Sequence, residues 1–141
     1  MTIKQISVFL ENKSGRLAEV LSILGKGKIK IHALTIADTS EYGILRLIVS
    51  DYQKAVEVLK EKEFTANLTD IIAVLVPNQA GEFATLLQNL AKETISIEYM
   101  YAFGMGEKAA IILRPESIDL TLHVLKKHNN ILITADELSK L

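Results

Sequence analysis

Asn12-Lys13-Ser14-Gly15-Arg16-Leu17-Ala18 returns as Asn78-Gln79-Ala80-Gly81-Glu82-Phe83-Ala84, 66 residues further along the chain (Asn12 to Asn78). The same offset, without a gap, pairs Val8 with Val74, Leu21 with Leu87, Leu24 with Leu90, Ile29 with Ile95 and Ile31 with Ile97. It still holds late in the unit, where Glu41 meets Glu107, Leu47 meets Leu113 and Val58-Leu59-Lys60 meets Val124-Leu125-Lys126. Chance apolar overlap does not place a polar Asn and a Gly in register with core positions, so the chain reads as one module written twice.

Outward from the first copy of that stretch, the apolar period changes sharply. Ile3 to Leu10 is rich in β-branched and aromatic residues and ends at a turn-forming Asn-Lys-Ser-Gly, which predicts a strand. Leu17, Val20, Leu21 and Leu24 then fall at i, i+3, i+4 and i+7, one stripe on a helix that stops near Gly25 and Gly27. A second strand is expected over Ile29 to Ala37, a turn over Asp38 to Tyr42 and a third strand over Gly43 to Val49. Asp51 is placed to cap a second helix carrying Ala55, Val58, Leu59 and Lys62, and a fourth strand follows near Phe64 to Leu68. The second copy repeats the order: strand Ile71–Val76, turn, helix with Phe83, Leu86, Leu87 and Leu90, strand Ile95–Ala102, turn Gly104–Glu107, strand Ala109–Arg114, helix with Ile118, Leu122 and Leu125, and strand Ile131–Thr134. The expected fold class is therefore α+β: two ferredoxin-like β-α-β-β-α-β modules, each an antiparallel four-stranded sheet with two helices on one face. The modules divide as 1–68 and 69–141, with Thr69 and Asp70 the only hinge.

Composition limits the function classes. Hydrophobic residues make up 49 % of the chain, yet no run of about 18 uncharged apolar residues is present to cross a bilayer, so both faces of some strands are expected to be covered and no membrane is involved. A helix pair covers one face of each sheet; the other face calls for another sheet or another chain, which predicts that the two units pair and that the chain forms a homodimer. Without an amino-terminal basic and apolar leader, the expected location is the cytoplasm. The absence of Cys removes disulfide and thiolate chemistry, and His32, His123 and His128 are poorly spaced for a metal, so neither metal nor cofactor is expected. A net charge of −1 argues against a nucleic-acid surface, and the strands lack the Lys/Arg-Gly-Phe pattern of an RNA-binding sheet. A phosphatase-like enzyme of the same architecture needs a nucleophile with its base, or a metal cluster, and no such spacing occurs; no catalytic residue is assigned.

The repeated strand–Asn-x-x-Gly–helix segment is where the sequence points to a ligand. The first turn of a helix leaves backbone N–H groups unpaired with the positive end of the helix dipole behind them, which stabilises a carboxylate. Gly15 and Gly81 allow a sharp turn and close approach to the backbone, and Asn12 and Asn78 offer both donors and an acceptor. Within a β-α-β-β-α-β unit of this size, Asn12-Lys13-Ser14-Gly15-Arg16-Leu17 resembles the loop of the ACT domain, a small regulatory module appended to enzymes of amino-acid metabolism. The resemblance covers the chain twice; in the second copy Phe83 stands where Leu is usual.

The resemblance implies a stand-alone tandem ACT protein with no catalytic domain: a non-catalytic sensor that binds a free amino acid, or a similar small effector, where a strand–helix loop faces a strand of a neighbouring unit, and that regulates a partner enzyme of amino-acid metabolism. Carried over position by position, it implies contacts from Asn12, Lys13, Ser14, Gly15, Arg16 and Leu17 and from Asn78, Gln79, Ala80, Gly81, Glu82 and Phe83, completed by strand backbone near Ile31 and Ile97. Lys13 and Arg16 add positive charge at the first loop whereas Glu82 repels a carboxylate at the second, so unit one reads as the better anion site and unit two as the opposing wall. The alternative is a regulatory or scaffold subunit that binds a protein partner without any small molecule.

Overall fold

A computed structural model of the chain describes residues 1–38 and 41–141, so the middle of the turn expected over Asp38 to Tyr42 lies outside the described residues. The chain divides into two compact units, Lys4–Thr69 and Asp70–Leu141, the latter taking in Met1–Ile3. Both are α+β and ferredoxin-like.

The first unit comprises β1 (Ile3–Glu11), α1 (Arg16–Lys26), β2 (Ile31–Asp38), β3 (Tyr42–Val49), α2 (Tyr52–Glu61) and the first residues of β4 (Thr65–Pro77). Its strands lie in the order β2-β3-β1-β4, with β3 antiparallel to both neighbours. The alternation read from the sequence sets the core: Ile6, Val8 and Leu10 of β1 and Leu45, Leu47 and Val49 of β3 meet Val20 and Leu24 of α1 and Ala55 and Leu59 of α2, all buried. Asp51 caps α2 as expected, its carboxylate accepting from the Lys54 N–H at 3.1 Å.

The second unit repeats this with the rest of β4, α3 (Glu82–Lys92), β5 (Ile97–Met105), β6 (Lys108–Pro115), α4 (Ile118–Lys127) and β7 (Ile131–Ile133), in the order β5-β6-β4-β7. Ile72, Val74 and Val76 of β4 and Ile111 and Leu113 of β6 pack on Leu86, Leu90, Val124 and Leu125. Each sheet also has a face turned away from its helices. On that face Ile48, Ile71, Ala73, Ala110 and Ile112 are almost fully buried, while Phe9 and Tyr42, whose ring centroids lie 4.9 Å apart, are exposed.

Two features depart from the sequence reading. Thr69 and Asp70 lie within β4, a single 13-residue strand, where the sequence reading expected a break between two strands. Nothing between Phe64 and Val76 is Gly or Pro, Thr65, Thr69, Ile71 and Ile72 favour extended backbone, and the Arg114 guanidinium donates to the Asp70 carbonyl at 2.7 Å. A fifth helix, α5 (Ala135–Ser139), follows β7. It starts at a capping box in which the Thr134 hydroxyl accepts from the Glu137 N–H at 3.1 Å while the Glu137 carboxylate accepts from the Thr134 N–H at 3.4 Å, and Leu138 is buried beneath it. Among the described residues no helix is long and apolar enough to cross a membrane.

The duplication extends to backbone irregularities. β2 shifts register between Ile31 and Ala33 and β5 between Ile97 and Tyr99, one bulge in each copy at the same offset. His32 occupies the first bulge, partly buried, and burial, then the charge of Lys30, holds its pKa below the usual histidine value. Each of the first four helices is followed by a residue in the left-handed region: Lys28, Glu63, Thr94 and Asn129, with φ of 58°, 66°, 58° and 57° in turn. Only Asn is a residue type that tolerates this conformation well, and the β-branched Thr94 tolerates it least. Replacing Thr94 with Gly is expected to raise stability by about 0.5–1 kcal/mol in urea unfolding at an unchanged m-value.

Candidate functional site

Each Asn-x-x-Gly loop is built the same way. The Asn12 N–H donates to the Glu41 carbonyl and the Asn78 N–H to the Glu107 carbonyl, both at 2.9 Å, which fastens the end of the first strand of each copy to the start of the third. Gly15 at φ 86° and Gly81 at φ 89° then turn the chain into α1 and α3. In this region an L side chain is strained, and a Cβ at either glycine would find no heavy atom within 4 Å, so the requirement is conformational and the surface beside it is open.

The consequence lies in the first helical turn. The Arg16 N–H reaches the Lys13 carbonyl at 3.3 Å and the Glu19 N–H reaches the Gly15 carbonyl at 2.9 Å. Between them, the N–H groups of Leu17 and Ala18 have no partner among the described residues, and no side chain caps the helix. At α3 the pattern repeats: the Glu82 and Thr85 N–H groups bond Gln79 and Gly81 carbonyls, and the Phe83 and Ala84 N–H groups are left over. By contrast α2, α4 and α5 are each capped by a side chain, from Asp51, Ser117 and Thr134 respectively. The two uncapped helix starts are the two that follow Asn-x-x-Gly.

Asn12, Lys13, Ser14, Gly15 and Leu17 are exposed, as are Asn78, Gln79, Ala80, Gly81 and Phe83, while Arg16 and Glu82 are partly buried. A depression of about 170 Å³ beside the first loop brings Asn12, Lys13, Arg16 and Leu17 together with Ile36 and Asp38 of β2. On the other side of the same loop a groove runs along Glu11, Asn12, Lys13, Glu41 and Tyr42, and its counterpart in the second copy runs along Pro77, Asn78, Gln79, Glu107 and Lys108. Ile31 and Ile97 are not near their own loops. Ile31 pairs with Val49 and Ile97 with Pro115, at the end of each sheet away from the loop, where Glu11 pairs with Tyr42 and Pro77 with Lys108. Ile36, Asp38, Glu41 and Tyr42 were missing from the sequence-derived set; the antiparallel pairing of strands one and three was the signal, since it sets the start of strand three beside the end of strand one.

The charges of the first loop are engaged locally. Lys13 pairs with Glu11 at 2.9 Å, and its hydrogen bond, followed by its charge, holds the Glu11 carboxyl below its usual pKa. Arg16 pairs with Glu19 at 2.9 Å, and its guanidinium lies 4.4 Å from the centroid of the Phe64 ring. Two cations beside two carboxylates reduce the positive excess that the sequence pattern assigned to this loop.

The second loop carries its own brace. The Asn78 amide donates to the Gly106 carbonyl at 2.9 Å, and its side chain lies so close over Gly104 that a Cβ there would fall 2.8 Å from Nδ2 and 3.2 Å from Cγ.

These features define a class: a duplicated ferredoxin-like module with an open, uncapped helix start in each copy. The chain matches the ACT domain pair over residues 1–141 and belongs to the ACT domain family. A search of curated proteins returns no match. Among solved structures, a protein from Bacteroides thetaiotaomicron is 45 % identical with a TM-score of 0.95, covering 100 % of this chain and 98 % of that one. The regulatory subunit of aspartate kinase from Thermus thermophilus, in a ligand-free form, is 18 % identical with a TM-score of 0.65 over 88 % of this chain and 91 % of that one. Its Thermus flavus counterpart is 19 % identical with a TM-score of 0.64, covering 88 % and 90 %. At such identity the aspartate kinase structures share the fold.

Substituting Gly104 with Ala is expected to displace the Asn78 side chain and lower stability by about 1 kcal/mol in thermal or urea unfolding, the typical net worth of the hydrogen bond lost. Gly43→Ala should cost less, because the nearest atom to its Cβ is the end of the flexible Asp38 side chain at 2.7 Å.

Proposed function

We propose that the chain is a non-catalytic regulatory protein whose strand–helix loops take the carboxylate of a free amino acid on the unpaired N–H groups of Leu17 and Ala18, or of Phe83 and Ala84, and that this binding regulates an enzyme of amino-acid metabolism. The observation that carries the reading is the contrast among helix starts: three are capped from within the chain, and the two after Asn-x-x-Gly are open, exposed and preceded by a glycine that lets a ligand reach the backbone. Membership of a family whose structurally similar members include regulatory subunits of aspartate kinase supports it. In this reading the amide oxygen of the loop Asn, Asn12 or Asn78, accepts from the α-amino group. The pairing of Lys13 and Arg16 with carboxylates makes the difference between the loops smaller than their formal charges, though Glu82 still disfavours an anion at the second.

Isothermal titration with each of the twenty amino acids, with inorganic phosphate for comparison, tests this. One amino acid is expected to bind and, at about 100 times its dissociation constant, to stabilise the fold by about 2.7 kcal/mol. No heat and no thermal shift with any of them at millimolar levels overturns the reading. Ser14→Asp, which sets a carboxylate at the start of α1, should leave the melting temperature unchanged or higher while weakening binding about tenfold. Ala80→Asp should weaken it less, and equal losses refute the inequality of the two loops.

The same proposal includes a homodimer, and the surface available for it is a sheet edge. Among the described residues β2 pairs with β3 and β5 with β6, each on one side only. Beyond the bulge β2 carries no charge from Ala33 to Ala37, and Leu34 and Ile36 are 45 % and 40 % exposed. An uncharged, apolar edge of this length is a template for pairing with another chain. Light scattering is expected to find a dimer, and Leu34→Lys to yield a monomer of unchanged helical circular dichroism; a monomeric parent protein would refute the assembly.

A further inference from the structure

We propose a second binding site, independent of the loops, in the groove between the carboxyl-terminal ends of α1 and α2, and that it takes an amphipathic anion: a carboxylate carrying a short aliphatic tail. The groove encloses about 290 Å³ and is walled by Ile23 and Val58, both partly buried against the core, with Gly27 at its floor and Lys26, Lys62 and Glu61 at its rim.

Three observations carry the assignment. The first is Gly27 itself. Its φ of −79° is ordinary for any residue, and a Cβ there would rest 3.4 Å from Ile29 Cδ1 and 3.5 Å from the Leu24 carbonyl, so the backbone does not require a glycine; what its absent side chain provides is space. The second is charge. Lysines near a helix end usually serve its exposed carbonyls, but here the Lys54 ammonium already donates to the Gly27 carbonyl at 2.9 Å. Lys26 and Lys62 form no ion pair among the described residues and stand at the rim with one carboxylate, Glu61, between them in charge. The third is the other copy. At the equivalent positions Ile23 becomes Asn89, Gly27 becomes Glu93 and Glu61 becomes Lys127, and the Lys127 ammonium lies 3.6 Å from the Glu93 carboxylate, bridging α3 and α4. One copy thus closes with an ion pair the place that the other leaves open and apolar, with two ammonium groups and one carboxylate set beside the negative ends of two helix dipoles. An aliphatic tail against Ile23 and Val58 gains from leaving water, and its carboxylate answers the two ammonium groups.

The test uses the full chain and octanoate as probe, followed by methyl NMR and thermal shift, with acetate supplying the charge without the tail and 1-octanol the tail without the charge. Octanoate is expected to shift the Ile23 and Val58 methyl signals saturably and more strongly than either control. The double variant Gly27→Glu, Glu61→Lys, which copies the second unit's ion pair, is expected to weaken octanoate by about tenfold or more. Ser14→Asp should leave octanoate binding unchanged, which separates this site from the loop sites. No saturable shift at millimolar octanoate, shifts centred on other methyl groups, loss through Ser14→Asp, or undiminished binding to a folded double variant each overturns the proposal. Should the double variant fail to fold, the methyl map of the parent protein decides the matter alone.

Discussion

In both copies the first strand passes into its helix through a glycine at φ near 90°, a conformation that most side chains forbid. The anchor behind it is the backbone bond from Asn12 to Glu41, or from Asn78 to Glu107, which ties the first strand to the third before the chain reverses. With the turn so fixed, the helix lies back over the sheet, and Val20 and Leu24, or Leu86 and Leu90, fall onto the alternating residues of the central strands. The first apolar residue of each stripe, Leu17 or Phe83, stays at the surface beside the loop at 36 % or 37 % exposure. Core packing and the open helix start therefore come from the same local geometry.

The parts of the fold legible in the sequence were those governed by period and by repetition. The helical stripes, the alternation in β1 and β3 and the Asp51 cap are local signals, and the 66-residue offset doubled each of them. The continuous β4 was not legible, since a polar Thr69-Asp70 pair between two apolar runs has the composition of a connection, and what keeps it extended includes a contact from Arg114, distant in sequence. α5 could have been found: Thr134 followed by Glu137 is a capping box, but a five-residue helix carries too few turns for a stripe to show. At the site, the loop residues came from the motif, whereas Ile36 and Asp38 enter only through the folding of β2 against its neighbours. Side-chain pairing was equally hidden. Arg16 appears in the sequence as a free charge, and the fold gives it Glu19 and the ring of Phe64.

Because the two copies share one frame, their differences show where the module is constrained and where it is free to change. The bulges at His32 and Glu98, the left-handed residues after the helices and the glycine of each loop coincide, and all are backbone features. The substitutions that break the repeat fall partly in the core, Gln5 to Ile71, Ala55 to Thr121 and Phe64 to Asn130, and partly among side chains at the surface: Lys13 to Gln79, Arg16 to Glu82, Gly27 to Glu93, Glu61 to Lys127. The surface changes alter the charge and shape that each copy presents, as expected if one scaffold carries unequal surfaces.

The bland account of Asn-x-x-Gly is a well-formed turn that starts a helix. On that account the Asn, or a residue at the cap, would accept from the first-turn N–H groups, because a missing cap leaves a helix weaker by about 1 kcal/mol. The same chain caps α2, α4 and α5 from Asp51, Ser117 and Thr134, so suitable side chains are within its means. At the start of α3 the Asn78 amide instead donates to the Gly106 carbonyl, and at the cap positions of both remaining starts Gly15 and Gly81 have no side chain to offer. Two donors in each copy are thereby kept for water or for a ligand, at a stability loss of about 1 kcal/mol per helix that an acid group docking there would offset. A turn whose only duty was to reverse the chain would have no reason to forgo that stabilisation twice.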